Sequence, residues 1–356
     1  RGSVSTRLLA HLEEFQAAWC RWRPRSYAKV HITADEETAG GPAGDGRAIL
    51  AYSGGVDANF TLLRHTAVDG GAGRQRQEIA AAAFISGFDL PPGRRTAVEE
   101  AVSSAAATLA EFNLPLTVIE TDWKQTACTD WAMEYFVGLA SCLYPFAGRL
   151  SVGLVGNCVD YQSMALPWGS NPITNPLLDS GGFRMVTDGA GSTRAEKAAV
   201  IARHPALRDR LRVCWWGPLH GGEGGNCGRC EKCLRTKLDF LCHGLDPGPA
   251  LPANHAVADI VLIGLRLPVS RAELHEILAT ARRHRIRARW VPALRLGIAV
   301  SYLAVGLRWL YCPLKRLARR LVVALRPAEG PALRDRQARR TAELARAGVA
   351  GRARGN

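Results

Sequence analysis

The sequence predicts an α/β protein built on a parallel sheet, and two patterns support this. Four apolar runs have the length and composition of buried strands: RAILAY (47–52), IAAAAFI (79–85), LTVIET (116–121) and RLSVGLVG (149–156). Helical patterns at 95–112 and 124–144 lie between them. Strands that alternate with helices are typical of a parallel sheet with crossover connections.

The chain is predicted to have three parts, at 1–46, 47–245 and 246–356. The first contains a helix from Ser5 to about Trp22, a short strand near 27–33 and a glycine-rich loop at 39–46. The second is the sheet domain, which the loop HGLDPGPALPANH (243–255) closes. The third is basic and mainly helical in pattern.

The net charge of +14 is concentrated at one end of the chain. Residues 281–356 carry 19 Lys and Arg against three acids, or +16, whereas residues 1–280 carry 27 against 29, or −2. A protein that grips a polynucleotide along its length needs distributed cations. The nearly neutral body therefore favours a small-molecule site.

We expect a cytoplasmic protein. The longest charge-free apolar stretch in the basic region, 296–307, has 12 residues, whereas a membrane-spanning helix needs about 20. The N-terminal residues show no signal-peptide pattern.

The stretch AYSGGVDANF (51–60) predicts a phosphate-binding turn between a strand and a helix. Glycines let the backbone approach an anion closely, and the first amides of a helix are donors without intrahelical partners. The alternative is a tight turn that binds nothing. The pattern matches neither the Walker A loop nor the dinucleotide fingerprint. The predicted nucleotide-binding residues here are Ser53, Gly54, Gly55, Val56 and Asp57.

Four cysteines predict a closed metal site. Cys227, Cys230 and Cys233 form two overlapping Cys-x-x-Cys steps before a helix, and Cys214 precedes them. Four thiolates suit structural zinc. An iron–sulfur cluster is the alternative, but its motif usually places a further cysteine before a proline, and Cys242 is followed by His and Gly. We therefore expect Zn²⁺.

The turn resembles the pyrophosphate loop of the N-type ATP pyrophosphatases, in which Ser-Gly-Gly-x-Asp is followed by Ser or Thr. Ala58 stands at that last position here. Together with the Cys-Gly-x-Cys-x-x-Cys run, the turn is similar to the 7-cyano-7-deazaguanine synthase branch over roughly 45–245. The resemblance implies an adenine nucleotide α-hydrolase-like fold and cleavage of ATP between its α and β phosphates.

Further site residues come from family likeness and from predicted strand ends. The likeness suggests that Lys197 and Arg194, beside the capping box of Thr193 and Glu196, turn toward ATP phosphates; a solvated helix face is the alternative. Asp57 is a candidate ligand for Mg²⁺ bound to ATP, or a helix cap. Ligands gather at the carboxyl ends of parallel strands, which nominates Phe84, Ile85, Ser86, Gly156 and Asn157.

The resulting hypothesis is an AMP-forming, ATP-dependent carbon–nitrogen ligase. It would adenylate a small carboxylate and couple it to ammonia or an amine, giving an amide or a nitrile, with Ser53, Asp57 and Lys197 as catalytic residues and the loop 166–176 ordering over the intermediate. The alternatives are a tRNA-thiolating enzyme and a zinc-stabilised scaffold that binds nucleotide without turnover.

The basic end predicts an amphipathic helix with leucines at 314, 317, 321 and 325. It would dock on the body or meet an acidic partner, which would be a carrier protein, RNA or a membrane surface. A homo-oligomer is compatible with the sequence.

Overall fold

The protein is described by a computed structural model. It describes residues 2–40, 43–67, 71–91, 93–214, 225–252, 256–266 and 271–303. The described residues up to Val300 belong to one compact unit. The predicted helix around the leucines at 314–325 lies outside the described residues.

A five-stranded parallel sheet forms the centre of this unit, as the alternating pattern predicts. Its strands are β3 (Ala48–Ala51), β4 (Ile79–Ser86), β5 (Leu116–Glu120), β6 (Val152–Gly156) and β7 (Arg184–Asp188), in the order β5-β4-β3-β6-β7. The chain builds outward from β3 to β5 and then returns to the other side of β3 with β6. The order therefore reverses between β3 and β6, which is where ligands bind in open α/β sheets.

Helices cover both faces of the sheet. On one face, Ala48 and Leu50 pack with α2 (Val56–Thr66) and α3 (Arg95–Ala110). On the other face, Ile49 packs with α1 (Thr6–Trp22) and α5 (Trp131–Leu143). Successive residues of a strand face opposite sides, so an apolar run such as AILA, of which Ala48, Ile49 and Leu50 are buried, can serve both layers.

Two local predictions differ from the structure. Residues 27–33 form no strand; the pairing partner of β1 (Ser3–Ser5) is β2 (Glu36–Thr38). The helix expected at 124–144 is divided into α4 (Trp123–Thr126) and α5. The side chain of Asp130 caps α5 by accepting from the Ala132 amide, because aspartate competes well for the free amides at a helix start.

A helical layer follows the sheet domain. It contains α6 (Arg194–Ile201), α7 (Pro205–Asp209), α8 (Glu231–Leu241), α9 (Val257–Arg266) and α10 (Arg271–Arg283), and 290–303 is also helical. Leu234 and Leu238 of α8 share an apolar cluster with Ile260 and Ile277. The capping box of Thr193 and Glu196 at α6 is confirmed. The division at 46 and 245 stays a prediction.

Every described helix is too short or too polar to span a bilayer.

Candidate functional site

The glycine-rich turn joins β3 to α2, as the sequence predicts. Gly54 has a φ of +74°, a left-handed backbone conformation that favours glycine. Gly55 is the N-cap of α2, and no side chain caps that helix. Within the described residues, the amides of 53–58 donate no hydrogen bond. The turn thus presents a set of unsatisfied donors at a helix start, where an anion is stabilised.

Buried side chains hold the turn in place. The Tyr52 hydroxyl donates to Asn59 Oδ1 at 2.6 Å, and Asn59 Nδ2 donates to the Gly54 carbonyl at 3.1 Å. A Cβ atom added at Gly156 would lie 2.5 Å from the Asp57 carbonyl oxygen. Gly156, nominated as a strand-end residue, is therefore the place where β6 meets the start of α2.

Asp57 is the anionic member of a buried ion-pair cluster. Lys197 Nζ and Arg194 Nη1 each lie 3.0 Å from one of its two carboxylate oxygens. Burial alone would raise the pKa of Asp57, but the two cations outweigh it, so that the pKa lies below its ordinary value. Asp57 is consequently ionised, and both of its oxygens are engaged.

Lys197 ties this cluster to β6. Its side chain is 1% exposed and also donates to the Asn157 carbonyl oxygen. Mg²⁺ coordination by Asp57 would therefore have to use the remaining lone pairs of a carboxylate that already pairs with two cations. The geometry gives Lys197 a positioning role between the turn and the end of β6.

A cavity of about 590 Å³ opens where β3, β4 and β6 end. Ser53 and Asp57 line it together with Phe84, Ile85 and Gly156. The other nominated residues do not line it; these are Gly54, Gly55, Val56, Ser86, Asn157 and Lys197. Ser86 is 2% exposed, and its carbonyl oxygen accepts from the Thr121 amide.

One wall of the cavity is aromatic. The rings of Phe88 and Trp131 have centroids 5.1 Å apart, and Tyr135 lies 6.0 Å from Trp131 and also 6.0 Å from Trp168. Trp168 Nε1 donates to the Tyr135 hydroxyl at 3.1 Å. Trp168 belongs to the loop 166–176, whose Asn171 side chain bonds to the backbone and side chain of the same loop. A flat apolar group fits this wall.

Four cations also line the cavity, beside the carboxylates of Asp57, Asp89 and Glu273, and most of these cations are not predicted from the sequence. Arg194 was nominated, whereas Arg212, Lys232 and Arg235 were not. The Arg212 amide donates to the Gly54 carbonyl at 2.9 Å. Its Nε atom is buried and has no hydrogen-bond partner among the described residues. A buried donor of this kind is costly to leave unpaired, so a ligand acceptor would stabilise it.

The four predicted metal ligands converge. All four Sγ atoms lie within 4.8 Å of one another, with Cys214 and Cys230 at 3.8 Å and Cys227 and Cys233 at 4.0 Å. A tetrahedral ion with metal–sulfur bonds of about 2.3 Å separates its sulfurs by about 3.8 Å. The cluster can therefore hold a tetrahedral metal ion such as zinc.

The surroundings of the cluster also suit a metal. The amides of Cys230 and Cys233 donate to the sulfurs of Cys227 and Cys230 at 3.2 and 3.4 Å. The hydrogen bond between the Cys214 and Cys230 thiols raises the pKa of Cys230 to about 12, because it favours the protonated form. Asn226 Oδ1 accepts from the amides of Val213 and Cys214, which joins the two cysteine-bearing segments.

A second cavity, of about 600 Å³, contains none of the predicted site residues. Arg64, Arg74 and Arg184 line it together with Asp188 and His65. Asp188 accepts from Arg64 Nε at 3.1 Å, and His65 Nε2 lies 3.5 Å from it. This cavity is polar and separate from the glycine turn.

Comparisons with known proteins assign no family to the chain. No protein-family model matches it, and a search of curated proteins gives no significant match.

Proposed function

We propose that the protein is an ATP-dependent ligase of the AMP-forming type. The observation that carries this proposal is the start of α2, where unpartnered amides and a glycine at positive φ adjoin a cavity with four cationic side chains. The cavity also has an aromatic wall, so it offers separate surroundings to phosphates and to flat apolar groups. ATP and an organic carboxylate are the substrates that this arrangement suits.

In this proposal the chain's residues bind and orient the phosphates. The amides of 53–58 donate to phosphate oxygens, and Arg212 and Arg194 offset the charge that grows on the departing pyrophosphate. Lys197 acts through Asp57 by holding the turn against β6. Mg²⁺, when bound with ATP, would supply further charge neutralisation between phosphate oxygens.

The proposed chemistry has two steps. A carboxylate oxygen of the substrate attacks the α-phosphorus, and the bond from that phosphorus to the bridging oxygen breaks, releasing pyrophosphate. Ammonia or an amine then attacks the acyl carbon, loses a proton and expels AMP. In a further round the amide oxygen would attack the α-phosphorus of a second ATP and release pyrophosphate; loss of the two N–H protons and expulsion of AMP, which carries off that oxygen, would leave a nitrile. The aromatic wall and the 166–176 loop would exclude water from the acyl adenylate.

The four-cysteine cluster is proposed to bind structural Zn²⁺. Four protein ligands leave no open coordination position for a substrate. Metal content measured on the purified protein tests this: one equivalent of zinc and no visible absorption are expected, whereas a brown protein containing iron would contradict it.

The experiment that tests the ligase proposal measures pyrophosphate and AMP with a panel of carboxylates, with and without ammonia. Both products are expected only when carboxylate and amine are present, and ADP as product would contradict the proposal. Gly54→Ala should lower turnover strongly. Gly46→Ala is the matched control, because Gly46 also has a positive φ, +89°, and no atom lies within 4 Å of its Cβ position.

Sulfur transfer to tRNA is a second candidate because a thiol lies in the cavity. Cys158 lines it, and its Sγ is 3.3 Å from the Tyr135 hydroxyl. Burial raises the pKa of this thiol, which disfavours the thiolate that sulfur chemistry needs. Loss of tRNA thiolation in Cys158→Ala would favour this candidate. ATP binding without pyrophosphate release under any condition would favour the scaffold alternative.

The basic region after 281 is proposed to meet an acidic surface, and the protein to act in the cytoplasm.

A further inference from the structure

The metal cluster and the nucleotide cavity share two chain segments. Arg212 stands two residues before Cys214, and Lys232 stands between Cys230 and Cys233. Both Arg212 and Lys232 line the cavity. The same short segments therefore carry metal ligands and cations of the cavity.

The first segment is bonded directly to the glycine turn. The Arg212 amide donates to the Gly54 carbonyl, and a Cβ atom at Gly55 would lie 3.5 Å from the Arg212 carbonyl oxygen. Asn226 fixes the continuation of this segment by accepting from the amides of Val213 and Cys214. The position of Arg212 thus depends on where Cys214 is held.

The second segment is the start of α8. Cys230 is its N-cap, and its Sγ accepts from the Cys233 amide. Lys232 and Arg235 follow within the first turns and line the cavity. Arg235 is further held by ion pairs with Glu231 and Glu273. An ion bound by all four thiolates would join this helix start to the Arg212 segment.

We propose that metal in the four-cysteine cluster and a triphosphate in the cavity bind with positive coupling, carried by Arg212. A bound metal fixes the Arg212 segment before ligand arrives, which removes an ordering cost from triphosphate binding. By reciprocity, a bound triphosphate must retain the metal. Couplings between sites commonly amount to about 5–150-fold, and we expect about tenfold here. This inference rests on the proposed nucleotide site, although it needs no ligase chemistry.

The test is the rate of zinc transfer from the metal-loaded protein to a chromophoric chelator, with excess Mg²⁺ present. ATP is expected to slow transfer about tenfold in the wild type. Arg212→Gln should keep one equivalent of zinc but lose the ATP effect. Arg210→Gln is the matched control, because Arg210 pairs with Glu111 on the surface and does not line the cavity. Any chelation of zinc by ATP itself is the same for all three proteins.

The outcomes distinguish a failure of the coupling from a failure of the ligase proposal. ATP binding measured on the same samples without any change in zinc transfer overturns the coupling, and an equal ATP effect in Arg212→Gln overturns the role of Arg212. If ATP slows zinc transfer but no carboxylate in the panel leads to release of pyrophosphate from ATP, the coupling is supported and the ligase proposal is rejected. Failure of the wild type to bind ATP overturns both.

Discussion

Gly156→Ala tests how tightly β6 controls the glycine turn. The added Cβ atom would lie 2.5 Å from the Asp57 carbonyl oxygen, 2.6 Å from its carbonyl carbon and 3.1 Å from the Ala58 nitrogen. These are backbone atoms of the first turn of α2, so no side-chain rotation can relieve the overlap. The helix start must move away from the strand.

The size of the effect follows from the overlap. Ordinary contacts of a Cβ atom begin at 3.4 Å, so the Asp57 carbonyl must move by about 0.9 Å. Overpacking of this kind typically costs about 1–3 kcal/mol of stability. Because Asp57 is held by Lys197 and Arg194, the same movement disturbs the amides that are proposed to bind phosphate. We expect ATP affinity to fall at least tenfold, which is about 1.4 kcal/mol.

The assay combines urea unfolding with ATP binding by calorimetry. Gly153→Ala is the matched control in the same strand, because its added Cβ would meet the end of the flexible Met185 side chain, at 2.6 Å from Sδ. It should cost stability but leave ATP affinity within about twofold. If Gly156→Ala binds ATP as the wild type does, the reasoning that β6 positions the turn is refuted.

Three further perturbations have defined outcomes. Tyr52→Phe should lower the free energy of unfolding in urea by about 1–2 kcal/mol and weaken ATP binding. Tyr144→Phe, which loses a hydrogen bond to the Leu178 carbonyl, should lower stability alone. Equal ATP affinities in the two variants would show that the Tyr52 hydroxyl does not hold the glycine turn in place. Burial raises the pKa of Asp239 to about 8, so the folded state keeps a proton that the unfolded state loses near pH 4. The free energy of unfolding should therefore fall as the pH rises from 4 to 8, by up to about 1.4 kcal/mol per pH unit. Asp239→Asn should flatten that slope, and an unchanged slope would refute the assignment. Cys230→Ser should abolish stoichiometric metal binding, measured by atomic emission. Cys142→Ser, which removes a buried thiol outside the cluster, should retain the metal. Metal retained in Cys230→Ser would exclude the four-cysteine site.

Local patterns allowed much of the fold to be predicted. Alternating apolar runs and helices predicted four of the sheet's strands, and the three central ones, β3, β4 and β6, are largely buried, which requires continuous apolar residues. The fifth, β7, was not predicted: its sequence RMVTD mixes charged, polar and apolar residues, and it lies at the edge of the sheet. The strand expected at 27–33 was wrong, since local β-propensity does not specify a partner strand.

Some residues of the candidate site are visible as sequence motifs, whereas others are brought there only by tertiary contacts. The glycine turn and the four cysteines are short motifs whose spacing is visible in sequence, and the structure brings each of them together locally. Arg212 has no such motif; its place beside Gly54 arises from a backbone hydrogen bond between distant segments. Lys197 was expected at the phosphates, but its burial and its bonds to Asp57 and Asn157 depend on how α6 packs against α2.

The most direct measurement of the central claim is amide NMR of the glycine turn during an ATP titration. The amides of Ser53 and Asp57, the residues of the turn that line the cavity, should shift downfield and saturate with the same dissociation constant that calorimetry gives, since a new acceptor on these donors deshields their protons. ATP that binds with calorimetric heat while these two amides stay unperturbed would contradict the account.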